Sequence, residues 1–364
     1  MISFVIPTNN RAKELEVCIR SIADQIMQFP TEANIIVIDD GCTDNTPELV
    51  EQLGEQYGCI TYCRYDKHKD YSDVFRTMFC IAPEETEWVW TFGDDDQLQK
   101  GALKFILAQL KAEETHENPA VFFHIAEAAR ASGRSGAFRG AMLDIAQNFG
   151  LIEMTGFITG NICRKSHLAA AADTPRWNEY AKSAFVQSFA LFEHLQHDQM
   201  VFLDIPLIAT QYADQNEETQ KRWARDNISY RYLYTVTAMQ RMYDDGILTA
   251  KLNPKFFRYL SYHLWDRFIH YYTGDYLAYE RMWPQEAWAM IGKFADFLND
   301  DEAANKLRQT VEAVSGMITL HMFMKKNLDG IYLEIKSVSE QHGTACYPWH
   351  FVEPLLAEAP SINQ

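Results

Sequence analysis

The chain has 364 residues with a formal net charge of -17, and 47% of the residues are hydrophobic. This apolar content can build one large or two medium cores, and we expect two domains. The acidic balance argues against nucleic acid as a partner, because phosphate backbones are usually bound by a cationic face.

Cysteine usage and hydropathy bear on the compartment. The 7 cysteines show no C-x-x-C pair and no zinc-like spacing, which favours a reducing, cytoplasmic location. The sequence begins directly with a strand-like run, and no apolar run approaches the roughly 18 residues of a membrane helix. We therefore expect a soluble chain without a signal peptide, and peripheral contact with the inner face of a membrane stays open.

The first part of the chain alternates β-branched runs with amphipathic stretches, which predicts βαβ units and a mostly parallel sheet. Strands are predicted at Ile2–Pro7, Asn34–Asp39, Ile60–Arg64 and Trp88–Phe92. Helices are predicted between them at Ala12–Gln28, Thr46–Tyr57 and Tyr71–Ile81. Ligands bind beyond the carboxyl ends of such strands, so the residues that follow each strand are the first candidates for a site.

The middle of the chain continues with fewer elements. Helices are predicted at Ala102–Glu114 and near Ala181–Leu195, and strands at Ala120–Ile125, Phe157–Arg164 and Met200–Ile205. The Gly/Ser/Arg-rich stretch Ala131–Gly140 is predicted to be a mobile loop.

Strand signals fade after about Asp214, where long helical patterns begin. Helices are predicted at Glu217–Tyr243, Pro254–Tyr272, Pro284–Leu298 and Glu302–Lys325. Aromatic residues in this part are expected to pack as a helical core, with a homo-oligomer interface or an acceptor surface as alternatives. We predict an α/β domain at residues 1–213 and a mainly helical domain at residues 214–364.

Three consecutive carboxylates follow the predicted strand Trp88–Phe92, after Gly93. They are Asp94, Asp95 and Asp96. Adjacent carboxylates repel one another, and such a cluster at a strand end favours a hard divalent cation, which takes oxygen ligands and can bridge to phosphate. The alternative is a solvated acidic turn or a helix N-cap.

A second acidic pair, Asp39 and Asp40, follows the strand Asn34–Asp39. A carboxylate at this edge can accept hydrogen bonds from a nucleobase N–H or a ribose hydroxyl. The alternative is turn chemistry, in which Asp44 or Asn45 caps the next helix.

Taken in this order, the motifs resemble those of the family 2 glycosyltransferases, which have the GT-A fold. Residues Pro7–Arg11 read Pro-Thr-Asn-Asn-Arg, where the family has Pro-Thr-Tyr-Asn-Arg. Residues Asp39–Thr46 match the family's Asp-Asp-Gly-Ser-Thr-Asp-Asn-Thr, with Cys42 in place of serine. Residues Asp94–Asp96 correspond to its Asp-Xaa-Asp motif.

The resemblance implies an α/β, GT-A fold with a central, mostly parallel mixed sheet, in which residues 1–110 bind a nucleotide sugar and residues 111–213 form the acceptor side. The donor-binding residues that it implies are Pro7, Thr8, Asn10, Arg11, Asp40, Arg76, Asp94 and Asp95. It also implies that Asp94 and Asp96 hold Mn²⁺ or Mg²⁺, with Asp96 acting in catalysis. We expect a UDP-sugar donor, although Asn9 replaces an aromatic residue of the family and leaves cytidine and deoxythymidine donors open.

The general base departs from the family pattern. Inverting members carry Glu-Asp at the start of a late helix, and the corresponding position here falls near Gln187 and Ser188. An inverting transfer needs a base to take the proton of the acceptor hydroxyl. We predict Glu179 for this role, with Glu193, His194, His197 and Asp198 as alternatives.

The function that the resemblance implies is a metal-dependent, inverting glycosyltransferase acting on a glycan or lipid-linked saccharide, with surface polysaccharide synthesis as the expected process. Two alternatives stay open, a sugar nucleotidyltransferase and a non-catalytic GT-A scaffold that binds partners through its helical domain. A dehydrogenase or P-loop enzyme is disfavoured, because neither Gly-rich phosphate motif occurs.

Overall fold

The structure is a computed structural model that describes residues 1–126, 136–210, 228–257, 292–302, 304–305 and 308–309. The chain divides into two compact units. The first comprises Met1–Ala181 with Val186–Gln220, and the second comprises Lys182–Phe185 with Lys221–Gln364. The boundary at residue 213 stays a prediction.

The first unit contains a mixed, mostly parallel sheet of 8 strands, as predicted. Its strands in chain order are β1 Ile2–Thr8, β2 Ala33–Asp39, β3 Ile60–Arg64, β4 Trp88–Thr91, β6 Phe122–Ile125, β7 Gly136–Ala141, β8 Asn161–Arg164 and β9 Gln199–Asp204. Their order across the sheet is β3-β2-β1-β4-β8-β6-β9-β7. The short strands β5 Asp96–Leu98 and β10 Ile208–Thr210 form a separate antiparallel pair.

Nine helices accompany these strands in the described part of the first unit. They are α1 Ala12–Ile26, α2 Thr46–Tyr57, α3 Tyr71–Cys80, α4 Ala102–Glu113, α5 Met142–Phe149, α6 Leu151–Thr155, α7 Lys165–Ala172, α8 Trp177–Tyr180 and α9 Val186–Leu195. A short 3-10 helix, Ile158–Gly160, lies between α6 and β8.

The hydrophobic core lies between the sheet and these helices. Strands β1, β2 and β4 are buried almost throughout, as continuous apolar runs in a central parallel sheet should be. Phe4 and Trp90, on adjacent strands, stack with ring centroids 4.8 Å apart. This packing fixes β1 against β4, whose carboxyl ends carry the candidate site.

Two details differ from the sequence prediction. Part of the predicted loop Ala131–Gly140 is instead the strand β7, which pairs antiparallel with β9. The predicted strand Phe157–Arg164 is strand only from Asn161, because residues 158–160 form the 3-10 helix. Glycine lowers strand propensity in Gly136–Ala141. At Gly160 a Cβ would lie 2.6 Å from the carbonyl oxygen of Ile125, so the close approach to β6 depends on contacts that the local pattern does not contain.

The described residues of the second unit include α10 Ile228–Asp244 and two 3-10 helices, Pro254–Phe257 and Phe294–Phe297. Most of the other predicted helices, and the aromatic residues of the predicted interface from residue 258 to residue 272, lie outside the described residues. Among the residues that are described, no helix has both the length and the apolar character needed to span a bilayer.

Candidate functional site

The acidic motif lies beside the end of the first strand. Because β1 and β4 run in parallel, their carboxyl ends meet at one edge of the sheet. There, Thr8 Oγ1 donates a hydrogen bond to Asp94 Oδ2 at 2.8 Å. The Arg11 guanidinium bridges two carboxylates, with Nη1 2.8 Å from Asp94 Oδ1 and Nη2 2.7 Å from Asp95 Oδ2. The structure therefore brings four predicted site residues together.

Asp94 is buried, although it is one of three adjacent carboxylates. Its exposure is 5%, and burial raises the pKa of Asp94 to about 7, while the neighbouring Arg11 opposes the rise. A buried carboxylate needs hydrogen bonds or an opposite charge, and Thr8 and Arg11 supply both. Any cation that binds Asp94 must therefore compete with Arg11.

Asp96 takes a different position, because it begins β5 and pairs across to Thr210 of β10. It is 6% exposed, and the hydroxyl of Thr159 donates to its Oδ2. A Cβ at Gly93 would lie 3.1 Å from oxygens of Asp95, Asp96 and Thr159, so these side chains would have to shift to admit it. The side chains of the motif thus lie close around the glycine.

Thr159 is the site residue that sequence reasoning missed. It lies 63 residues from Asp96, in a short 3-10 helix that the sequence pattern placed in a strand. No sequence motif includes Thr159, so its contact with Asp96 can be identified only from the folded structure.

Asp39 and Asp40, at the end of β2, contact different parts of the chain. Asp39 is fully buried, and its Oδ1 accepts from the backbone N–H of Cys42 at 2.6 Å. Asp40, 5% exposed, accepts from the backbone N–H of Lys69 at 2.8 Å and lies 2.6 Å from His68 Nδ1. Burial raises the pKa of Asp40. Asp39 therefore stabilises its own turn, whereas Asp40 faces the segment that follows β3.

Gly41 permits that approach. It has φ +71°, and a Cβ at this position would lie 2.5 Å from the backbone nitrogen of His68. Only glycine fits both the left-handed conformation and the close contact.

Pro7 and Asn10 shape the backbone of the site. Pro7 lies beyond the last register pair of β1 with β4, so its missing N–H costs no bond to that strand. Asn10 has φ +55°, and its Oδ1 accepts from the backbone N–H of Thr43 at 2.7 Å. The contacts recorded for Asn10 therefore tie two loops together, and its predicted contact with a donor stays a prediction.

Arg76 lies on α3, and its guanidinium carbon is 5.4 Å from the ring centroid of Trp177. Its Nε donates to the carbonyl of Ala172 at 3.1 Å. Both contacts are with residues of the α7–α8 region. Its predicted contact with a diphosphate stays a prediction.

The expected position of the family base lies inside α9. Gln187 is 3% exposed and Ser188 is 0% exposed, and neither is a carboxylate. Among the described residues, Gln187 Oε1 and Ser188 Oγ have no hydrogen-bond partner. A buried amide or unassisted hydroxyl is a poor proton acceptor, so neither residue is suited to act as a general base.

Glu179 and Glu193 both lie close in sequence to that position. Glu193 Oε1 accepts from Thr174 Oγ1 at 2.8 Å and Arg176 Nη1 at 2.9 Å, and its Oε2 accepts from Tyr180 OH at 2.5 Å. These three donors favour a structural role for Glu193. Glu179 is half-buried in α8, and its predicted role as base stays a prediction.

The remaining alternatives for the base lie at the end of α9 or just after it. His194 Nε2 lies 3.2 Å from His167 Nδ1, which makes the two imidazoles partners. His197 is exposed and Asp198 is half-buried. None of these three residues has a recorded contact with the carboxylates of the acidic motif.

The carboxylate oxygens of the acidic motif are ligands that suit a hard cation, but the protein supplies few of them. Within the described ranges, no group of three or more His, Cys, Asp or Glu side chains could hold a metal ion by itself. Mg²⁺ at nucleotide sites is commonly bound by one or two carboxylates, with phosphate and water completing the shell. The residues present fit a cation that binds together with a diphosphate.

Comparison with known proteins supports the resemblance. The model of glycosyl transferase family 2 matches residues 3–162. Abequosyltransferase RfbV of Salmonella typhimurium is 31% identical over 114 residues, which is 31% of this chain and 33% of that protein. Succinoglycan biosynthesis protein ExoU of Rhizobium meliloti is 26% identical over 164 residues, which is 45% of this chain and 44% of that protein. The chain therefore spans less than half the length of these curated relatives.

A third relative is the GalNAc(5)-diNAcBac-PP-undecaprenol beta-1,3-glucosyltransferase of Campylobacter jejuni. It is 29% identical over 115 residues, which is 32% of this chain and 36% of that protein.

Solved structures show the same fold. Residues 1–349 of S. aureus TarS align with a TM-score of 0.51 at 16% identity, covering 94% of this chain and 91% of that one. The same fragment in complex with UDP-GlcNAc also aligns with a TM-score of 0.51, at 15% identity. This alignment covers 94% of this chain and 92% of that one. Identity this low shows the fold alone. The shared architecture confirms the GT-A fold that the resemblance implied, and the match to the model of glycosyl transferase family 2 supports that resemblance over residues 3–162, which is less than half of the chain.

Proposed function

We propose that the chain is a metal-dependent, inverting glycosyltransferase that takes a sugar from a nucleoside-diphosphate sugar, with a UDP-sugar as the expected donor. The observation that carries this proposal is the convergence of Thr8, Arg11 and the carboxylates Asp94–Asp96 at one edge of the sheet. A site of this kind pairs anionic ligands for a cation with a neighbouring positive charge for a diphosphate.

The names of similar proteins support the class of acceptor. One is a glucosyltransferase named for a diphospho-undecaprenol-linked saccharide, and another is a succinoglycan biosynthesis protein. TarS was solved with UDP-GlcNAc. We therefore propose a glycan or a lipid-linked saccharide as acceptor, in surface polysaccharide synthesis. The free cysteines of the described part of the chain are compatible with a reducing, cytoplasmic location.

For the donor, we propose that the nucleobase lies beside Asp40 and the diphosphate beside Asp94. Asp40 is a buried acceptor, and His68 next to it is half exposed and can exchange partners when a base enters. Asn9 donates from Nδ2 to the carbonyl of Asp40 at 2.6 Å, so the residue that replaces the family's aromatic is also part of this corner. Base selectivity is expected to depend on these three side chains.

For the cation, we propose Asp96 and Asp94 as the protein ligands for Mn²⁺ or Mg²⁺. A divalent ion bound there would neutralise the charge that grows on the departing diphosphate. Arg11 forms an ion pair with Asp94 and can add a second positive charge near the diphosphate oxygens. For the base we retain Glu179, the residue predicted from the sequence, and the three donors on the alternative Glu193 favour a structural role for that residue.

The test is donor turnover by the purified chain. UDP-, CDP- and dTDP-sugars are incubated with Mn²⁺ and with saccharide acceptors, and the released nucleoside diphosphate is measured. We expect release to depend on Mn²⁺ and to be lost in Asp96→Asn, whereas Asp144→Asn, an exposed control on α5, keeps it. Release of pyrophosphate instead would identify a nucleotidyltransferase, and no turnover with any donor would favour a non-catalytic scaffold.

The identity of the base and the stereochemical course need a separate measurement. Glu179→Gln is expected to reduce kcat by about 100-fold or more while leaving the binding of UDP unchanged, because a general base acts only as the acceptor is deprotonated. Glu193→Gln serves as the comparison, and we expect it to lower thermal stability instead. The anomeric configuration of the product, read by NMR, decides between inversion and retention.

A further inference from the structure

Thr159 contacts the acidic motif at Asp96. Its Oγ1 accepts a hydrogen bond from the backbone N–H of Gly93 at 2.9 Å and donates to Asp96 Oδ2. Thr159 is 1% exposed and Asp96 is 6% exposed, so water does not readily replace either contact. A hydroxyl has a single hydrogen, and the amide can only donate, so the Thr159 proton is directed to the carboxylate.

The backbone that carries Thr159 is itself held against β4. Trp90 Nε1 donates to the carbonyl of Thr159 at 2.7 Å, and Thr91 Oγ1 donates to the carbonyl of Ile158 at 2.7 Å. Trp90 is fully buried and Thr91 is 3% exposed. The 3-10 helix is therefore attached to the same strand whose end carries the acidic motif.

The choice of threonine fits this arrangement. A β-branched side chain has few χ1 rotamers, so a hydroxyl on a fixed backbone is held in one direction at little entropic cost. Hydrogen bonds from such outer groups orient carboxylate ligands and commonly change metal affinity by about 10- to 100-fold when they are removed. The Asp96 carboxylate receives its orientation from both β5 pairing and this hydroxyl.

We infer that Thr159 is a positioning residue: its hydroxyl, aimed by the Gly93 amide, sets the carboxylate of Asp96 in the orientation that receives the cation and diphosphate together. This inference rests on the proposed function, in which Asp96 is a metal ligand. Thr159 belongs to residues 111–213, the predicted acceptor side. Its role in the reaction would come from contact with Asp96, which belongs to the predicted donor side, residues 1–110.

The test compares Thr159→Val, which keeps the shape but removes the hydroxyl, with Thr159→Ser, which restores it. Thr155→Val is the matched control: Thr155 is 0% exposed and donates to the carbonyl of Leu151 at 2.7 Å, with no recorded contact to a carboxylate. The readout is the EPR signal of free Mn²⁺ during titration of the full chain, with and without UDP. This measurement does not depend on turnover.

We expect Thr159→Val to weaken the binding of Mn²⁺ with UDP by about 10- to 100-fold, and Thr159→Ser and Thr155→Val to stay near wild type. In turnover assays, Thr159→Val should raise the KM for Mn²⁺ more than it lowers kcat at saturating Mn²⁺. A merely structural role would instead lower the active fraction, and with it kcat, without moving the KM for Mn²⁺. Where Thr159→Val fails to fold, as judged by circular dichroism, Thr159→Ala removes the same hydroxyl without the added methyl.

Asp96→Asn separates this inference from the function on which it rests. If Asp96→Asn loses Mn²⁺ binding but the Thr159 variants without a hydroxyl keep wild-type affinity, the positioning role is wrong and the proposed function stands. If Asp96→Asn itself binds Mn²⁺ as well as wild type does, Asp96 is not a ligand, and both proposals fall.

Discussion

Arg11 Nη1 lies 2.8 Å from Asp94 Oδ1, although 83 residues separate the two in the chain. The contact joins the residue that precedes α1 to a residue three positions after the end of β4, across the edge where β1 and β4 end. Asp94 is almost wholly buried, whereas the Arg11 side chain is 28% exposed. The pair therefore stabilises a carboxylate that is only 7% exposed, so Arg11 matters for the fold apart from its predicted role in donor binding.

Arg11→Ala should destabilise the protein, because it leaves Asp94 buried without its counter-charge. We expect a loss of roughly 1–3 kcal/mol in the free energy of unfolding, below the figure for a fully buried pair because Arg11 is partly exposed. Urea denaturation at neutral pH measures this loss. The exposed ion pair of Arg20 with Glu16 provides a control, and Arg20→Ala should cost less than about 1 kcal/mol.

The double variant Arg11→Ala with Asp94→Asn sharpens this prediction. Removing the orphaned charge should recover part of the lost stability, so the two changes should not be additive. Additive losses would mean that Arg11 stabilises the protein through other contacts.

Gly93→Ala should disturb the acidic motif more than the fold. The added Cβ would lie 3.1 Å from oxygens of Asp95, Asp96 and Thr159, and these side chains must move to admit it. We expect binding of Mn²⁺ with UDP to weaken by about tenfold. Isothermal titration measures the affinity, and unchanged binding would mean that the carboxylates can shift without loss.

Gly54→Ala is the matched control for Gly93→Ala. Gly54 lies inside α2, and a Cβ there would meet nothing within 4 Å. Alanine is the better helix former, so we expect the free energy of unfolding to rise by roughly 0.5–1 kcal/mol. Binding of Mn²⁺ with UDP should not change.

Local patterns were enough to predict the first half of the domain. Apolar runs that end in polar residues predicted β1 to β4 to within two residues at each end, and amphipathic spacing predicted α1 to α3. The reason is that central parallel strands and surface helices carry a strong hydrophobic period. The motifs at the strand ends then predicted that Thr8, Arg11 and the acidic residues would meet.

The rest of the site depends on contacts between residues far apart in the chain. The Thr159 hydroxyl reaches Asp96 only because the 3-10 helix is attached to β4, and no residue near Thr159 signals this. Asp44 was read as a possible cap for α2 alone, yet its carboxylate also reaches the first turn of α1. Such contacts follow from tertiary packing, which a reading of local periodicity does not contain.

Asp44→Ala tests this shared cap. Asp44 Oδ2 accepts from the backbone N–H of Ala12 at 3.1 Å, and its Oδ1 accepts from the backbone N–H of Thr46 at 3.1 Å. We expect a loss of about 1–2 kcal/mol in the free energy of unfolding. Asn45→Ala is the neighbouring control, since the Asn45 side chain makes no capping hydrogen bond, and it should cost less than about 0.5 kcal/mol.

The cost of Asp44→Ala should also depend on pH. Burial opposes ionisation of Asp44, but hydrogen bonds from Thr46 and Ala12 outweigh it and lower the pKa below 3.8. The stabilisation is therefore fully present above the pKa of the unfolded chain and is lost as pH falls through the lower, folded value. The gap between wild type and variant should close in acid, and a constant gap would contradict the capping role.

His124 gives a dependence of the same sign at higher pH, because burial works against its charged form. The His124 side chain, on β6, is fully buried, and its ring stacks on Phe202. Its Nδ1 lies 3.0 Å from Asn161 Oδ1. Burial lowers the pKa of His124 from 6.5 to about 4, against the smaller opposing effect of Asn161. Between these two values the unfolded chain binds a proton that the folded protein does not, so stability must fall as pH falls.

His124→Asn should remove this sensitivity. One pKa unit corresponds to 1.36 kcal/mol, so the wild-type protein should lose roughly 3 kcal/mol through His124 between pH 6.5 and about pH 4, and no more below that. Carboxylates also titrate in this window, and for that reason the informative quantity is the difference between the two proteins in urea denaturation at each pH. The variant should start less stable at neutral pH, since a smaller side chain leaves space beside Gly160, and the difference should shrink as the pH is lowered. Parallel curves would mean that His124 is protonated in the folded protein at its ordinary pKa, with a charge that the surrounding strands accommodate.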